Sequence, residues 1–178
     1  MTEKNVLIVS GHPSPDASFA NRTILEAVAE ALPAAEIDRL DRGYDVAAEQ
    51  AKLEKADVIV LEFPLWWYSC PALMHGWFEE VLAFGFAYGS GGTKLKGKKL
   101  LLSFTSGSPE ENYREGGPQN FSVEAFLPPF RQTAAMCSME FAGYVYSGGY
   151  LPDPALAEAL GTKAREHARR LVEKIESL

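Results

Sequence analysis

Residues 57–82 read DVIVLEFPLWWYSCPALMHGWFEEVL, and this stretch decides the fold. An apolar run, Val58–Leu61, reads as a buried strand and leads into a loop between Pro64 and Pro71. That loop carries Trp66, Trp67 and Tyr68 in succession. Pro71 then opens an amphipathic helix, Pro71–Ala83, with Leu73, Met74, Trp77, Phe78, Val81 and Leu82 on one broad face. Open α/β sheets bind ligands just past the carboxyl ends of their strands. Three large rings in a row at that place point to a flat, conjugated guest.

The same alternation extends outward in both directions. Asn5–Ser10 reads as a buried strand, and Ser18–Leu32 as a helix with Ser18 as its N-cap. Glu36–Leu40 is a short strand, Ala47–Lys55 a short charged helix, and Asp57–Glu62 the third strand. Lys98–Thr105 is the fourth strand, followed by the polar loop Ser106–Gly117. Val123–Met136 has a helical pattern that Pro128 and Pro129 should interrupt or kink. Met139–Tyr146 is the fifth strand, and Pro154–Leu178 a long amphipathic helix.

Five strands alternating with helices predict an α/β fold: a doubly wound parallel sheet with helices on both faces. The order 2-1-3-4-5 suits this length, with residues 1–178 as a single domain. The ligand loops are then those after strands one, three and four: Gly11–Asn21, Pro64–Pro71 and Ser106–Gly117.

Composition excludes several classes of function. A formal net charge of −7 and no basic run disfavour nucleic acid and anionic membrane surfaces. Cys70 and Cys137 have neither metal-ligand spacing nor a disulfide framework, and fit a reducing cytoplasm. The N-terminus MTEKNVLIVSGHP is too short for a signal-peptide core. No stretch reaches the roughly 18 apolar residues of a membrane span. A role at a membrane would therefore need a partner protein.

The first loop, GHPSPDASFANR, lacks the G-x-G-x-x-G fingerprint and the P-loop lysine. It offers His12, Ser18, Asn21 and the free amides at the start of a helix, which together suit a phosphate. The alternative is that Ser18 only caps the helix and His12 only turns the chain. In the second loop, Leu65–Tyr68 can supply a flat wall and uncommitted backbone amides. The alternative is that these rings are core or interface. In the third, Thr105, Ser106, Gly107 and Ser108 can present hydroxyls and close-approaching amides to the polar edge of a ring. Tyr113 follows on what should be a flexible lid, unless this is simply a solvated loop.

Other chemistry-bearing residues read as ordinary. His75 is a packed or surface histidine, His167 faces solvent from a charged helix, and Cys70 is a small buried hydrophobe, with a redox-active thiol as the alternative. Lys94, Lys96, Lys98 and Lys99 form a solvated turn, with phosphate binding as the alternative. There is no nucleophile elbow, H-E-x-x-H motif or zinc cluster.

Taken together, GHPSPDASFAN, FPLWWYSCPALMHGWFEEVL, GFAYGSGGTKLKGKK and LSFTSGSPEENY resemble the NAD(P)H:quinone oxidoreductase family, flavodoxin-like and of the DT-diaphorase kind. The resemblance is to its short bacterial members, including the ancillary subunits of glutathione-gated potassium-efflux systems. It implies a flavoprotein reductase that works by two-electron ping-pong hydride transfer, from NAD(P)H through flavin N5 to a quinone. It implies flavin contacts at His12, Ser18, Phe19, Ala20 and Asn21 for the phosphate end. Ring contacts would come from Pro64, Leu65, Trp66, Trp67 and Tyr68, and polar-edge contacts from Thr105, Ser106, Gly107 and Ser108. Tyr113 matches a tyrosine that assists hydride transfer.

The chain departs from the pattern at Trp66, where relatives usually carry Gln, and in Arg114–Asn120, which lacks a lid histidine. It also lacks the C-terminal extension of the larger animal enzymes. The resemblance therefore implies FMN, with FAD as the alternative. It also implies a homodimer, with Trp77, Phe84, Phe86 and Tyr88 as candidate interface residues, and a potassium-efflux antiporter as a candidate partner. The alternative function is a flavin-binding regulatory subunit of such a transporter.

Overall fold

The computed structural model describes residues 4–151 and 153–178. Five strands are parallel and ordered 2-1-3-4-5: β1 (Val6–Ser10), β2 (Glu36–Arg39), β3 (Val58–Pro64), β4 (Lys99–Thr105) and β5 (Glu140–Ser147). Five α-helices connect and flank them: α1 (Phe19–Ala31), α2 (Val46–Lys55), α3 (Ala72–Val81), α4 (Pro128–Met136) and α5 (Ala157–Glu176). The expected architecture and strand order are both present.

Period-2 alternation sends the apolar residues of β3 to two cores. Val58 and Val60 pack with Ile24, Val28, Ala164 and Leu171 of α1 and α5. Ile59, Leu61 and Phe63 pack with Leu53, Met74, Trp77 and Phe130 of α2, α3 and α4. Every residue of β3 is buried, including one charged type, Glu62.

Element ends differ from the sequence expectation where tertiary pairing adds to local preference. Strand β3 runs two residues past Glu62, because Phe63 and Pro64 stay in register with Phe104 and Thr105. The rings of Phe63 and Phe104 stack at 5.6 Å. Pro64 has no amide to donate, and it sits at the strand's last position, where the omission costs least. Pro128 and Pro129 do not interrupt a helix; they open α4, where missing amides would be unpaired anyway. The segment before them is a 3₁₀ turn, Val123–Phe126.

Two residue expectations are overturned. His167 does not face solvent: it is fully buried on α5, with its ring nitrogens 2.9 Å from the Ser103 hydroxyl and 2.6 Å from that of Ser147. Trp77 is not at the surface of the protein; it is 1% exposed and donates its indole N–H to Glu49 at 2.9 Å. Glu49 is itself buried and held by Lys52, which also binds Asp38. The lysine turn is committed to structure. Lys98 donates to the carbonyls of Glu54 and Ala56, and Lys94 pairs with Glu54.

Candidate functional site

A cleft of about 640 Å³ opens at the carboxyl end of the sheet. All three expected loops reach it. From the first come His12, Ser18, Phe19, Ala20 and Asn21; from the second Pro64, Leu65 and Trp66; from the third Thr105, Ser106 and Gly107. Four expected residues do not line it: Trp67, Tyr68, Ser108 and Tyr113.

The first loop is shaped for close approach. Gly11 follows β1, and a Cβ there would lie 2.6 Å from the Met74 side chain, so only glycine lets α3 pack against this turn. The Ser18 hydroxyl accepts the Asn21 amide at 3.3 Å, which starts α1 at Phe19. The first-turn amides of Phe19 and Ala20 have no acceptor within the helix and stand free at the cleft. Arg39 steadies the loop from the end of β2, holding Asp16 at 2.7 and 3.0 Å.

The His12 Nδ1 accepts the Ser14 amide at 2.9 Å, so the ring proton lies on Nε2. Burial lowers the His12 pKa, an effect opposed by Asp41. His12 thus offers the cleft a neutral donor rather than a charge. Trp66 packs edge-on to it, with ring centroids 5.3 Å apart.

Asn21 is 1% exposed and lies on α1 beneath the cleft wall. Its Oδ1 accepts the Thr105 hydroxyl at 2.8 Å, while its Nδ2 has no partner. A buried amide nitrogen left unpaired costs about 1–3 kcal/mol, so it calls for an acceptor.

In the second loop, Trp66 and Ser69 exchange backbone hydrogen bonds at 2.9 and 3.0 Å around two residues with positive φ, Trp67 at 49° and Tyr68 at 65°. This is the two-residue hairpin turn that normally takes Asn-Gly. The turn swings Trp67 and Tyr68 away from the cleft: Trp67 is 93% exposed, and Tyr68 packs 5.2 Å from Phe126. The amides of Trp67 and Tyr68 donate to no backbone acceptor among the described residues. Bulky residues held in this backbone region are strained. Because Trp67 is so exposed, Trp67→Asn loses little packing and relieves the strain. It should stabilise the protein by about 1 kcal/mol in urea unfolding; a destabilised variant would show the turn is not strained.

The third loop is partly committed inward. Ser106 donates its hydroxyl to the Ser108 carbonyl at 2.8 Å and receives the Tyr146 hydroxyl at 2.7 Å, so it is not free for a ligand. Burial raises the Tyr146 pKa and keeps that proton in place. The amides of Gly107 and Ser108 donate to no backbone acceptor among the described residues. Tyr113 lies in a neighbouring groove of about 560 Å³ with Tyr144, Tyr146, Arg170 and Lys174. It packs edge-on to Tyr146 and Phe126.

Sequence reasoning missed the fourth wall. Tyr150, Leu151, Asp153 and Pro154, with Ala157 and Leu160 of α5, complete the cleft. The signal was available, since GGYLPDP follows the carboxyl end of the fifth strand and the same topological rule applies there. Cys70, by contrast, is as expected: buried, with its thiol pushed up to about 11 by desolvation.

Fold and site together define a doubly wound protein with a phosphate-ready turn beside an aromatic slot. The chain belongs to the family described as having the flavodoxin-like fold, which matches residues 4–172. It is 43% identical over 141 residues to the glutathione-regulated potassium-efflux system ancillary protein KefG of Cronobacter sakazakii, covering 76% of each chain. General stress protein 14 of Treponema denticola, solved in complex with FMN, superposes with a TM-score of 0.85. That pair is 31% identical, with 96% of this chain and 99% of the other covered. A structure described as an NADPH-quinone reductase from P. pentosaceus gives a TM-score of 0.79 at 28% identity, covering 92% and 97%.

Proposed function

We propose that the protein is an FMN-dependent NAD(P)H:quinone oxidoreductase acting as a homodimer. The observation that carries this reading is the unpaired, buried Asn21 Nδ2 beside the free first turn of α1. That turn, with the Ser18 hydroxyl and the His12 Nε2–H, forms a set of neutral donors with the chemistry of a phosphate site. The FMN-bound relative supports FMN over FAD, and the quinone reductase neighbour supports the acceptor class.

FMN held there would supply hydride transfer chemistry between NAD(P)H and a quinone. The protein's part is to orient and to donate. Trp66, Leu65 and Pro64 give the cleft its apolar wall. The uncommitted amide of Gly107 would meet the polar edge of a ring and the negative charge that reduction brings. Tyr113, expected to assist hydride transfer, would do so from the neighbouring groove beside Tyr146. The exposed rings of Trp67, Phe84 and Phe121 supply apolar surface for a second copy.

A second reading follows from the similarity to KefG: a flavin-binding regulatory partner of a potassium-efflux transporter. Turnover separates the two. The purified protein should bind FMN, elute as a dimer, and reduce menadione with NADH or NADPH. Flavin binding with negligible turnover on quinones would favour the regulatory reading, and failure to bind either flavin would end both.

A further inference from the structure

Glu62 lies one layer below the cleft, at the carboxyl end of β3, in register between Ser10 of β1 and Ser103 of β4. It is 1% exposed. Its Oε2 accepts the Ser10 hydroxyl at 2.8 Å, while its Oε1 has no partner. Its backbone carbonyl accepts the Gly11 amide at 2.8 Å, which ties this residue to the start of the first loop.

No cation faces it. Ser10 of β1 and Ser103 of β4 flank it in the sheet, Ser103 bonds in turn to His167 of α5, and His12 follows Ser10 on the loop that lines the cleft. Both histidines are kept neutral by desolvation. The cleft above is equally short of positive charge: its lining contains no Lys or Arg, and Asp153 is its one acidic residue among those described. An anion at the first turn is therefore held by neutral dipoles alone, and a second negative charge buried beneath it has nothing to offset it.

We propose that Glu62 is a positioning residue for the anionic end of the ligand: held as a neutral acid, it permits a phosphate at the α1 turn, and its ionisation expels one. This rests on the flavin reading of the cleft. Desolvation pushes the carboxyl up to about 8, so the change falls in an accessible pH range. The Ser10 hydroxyl opposes that shift by stabilising the carboxylate.

The test is the FMN dissociation constant, read by quenching of flavin fluorescence from pH 6.5 to 9.5. Riboflavin, which has no phosphate, is the control ligand. Wild-type affinity for FMN should fall by about ten-fold or more across this range. Glu62→Gln should abolish most of that fall, and riboflavin binding should be indifferent to the substitution. Ser10→Ala removes the hydroxyl that favours the carboxylate, so its loss of FMN affinity should begin at higher pH than wild type. Parallel pH profiles for wild type and Glu62→Gln would overturn the proposal while leaving flavin binding intact. Absence of FMN and riboflavin binding at every pH would overturn the flavin reading as well.

Discussion

Glu62→Gln is expected to raise the free energy of unfolding by about 4 kcal/mol at pH 9 and to leave it almost unchanged at pH 4. The carboxyl titrates near 4.5 in the unfolded chain and at about 8 when buried on β3. An acid with a raised folded pKa contributes its full stability below the unfolded value. Folding then becomes progressively less favourable as pH rises from 4.5 to about 8, and beyond that the loss is complete. Glutamine fills the same space, keeps an oxygen for the Ser10 hydroxyl, and never ionises. Urea unfolding of both proteins at pH 4, 7 and 9 isolates the effect, since all other titrating groups are shared. A difference in stability that does not change with pH would show that the residue is not a buried acid. The difference in stability needs no ligand, so it stands apart from the FMN titration.

His167→Leu should have the opposite sign. Its two ring nitrogens bind the hydroxyls of Ser103 and Ser147, and Ser147 continues to Tyr150 on the cleft wall at 3.0 Å. Leucine fills much of the volume but strands the buried Ser103 hydroxyl and leaves Ser147 with Tyr150 alone, a loss of about 2 kcal/mol at pH 7. Adding Ser103→Ala should restore most of it, because it removes the one hydroxyl left without a partner. A double variant no more stable than His167→Leu would place the loss in packing instead.

The pH dependence of His167 is also the mirror of Glu62. Burial lowers its pKa from 6.5 to about 3, so its contribution is whole above 6.5 and is lost on acidification toward 3. Between pH 4.5 and 6.5 the two slopes oppose each other. The pair therefore sets a stability plateau there, with losses on either side.

Both residues show where sequence reading stops. His167 sits among Arg165, Glu166, Arg169 and Arg170, and a local window reads that neighbourhood as solvated. Its burial depends on Ser103 and Ser147, which lie 64 and 20 residues away. Glu62 sits at the end of an apolar strand, and nothing local tells whether such a carboxyl meets a partner. The second loop shows the same limit at shorter range. Three rings in a row were legible as a slot, but the direction of each was not. Two positive φ angles turn Trp67 and Tyr68 outward and leave Trp66 to face His12.

The alternation of strands and helices, the strand order and the loops that converge on one rim were already determined by the sequence. Apolar periodicity and turn residues are local properties, and right-handed crossovers leave few ways to join them. Only the tertiary structure decided which side chains of those loops face the cleft, that the segment after β5 closes it, and that a histidine and a glutamate are both uncharged inside. Those outcomes depend on what packs from distant parts of the chain and on how little water remains there. Desolvation is set by the whole fold and leaves no trace in a residue's immediate neighbours.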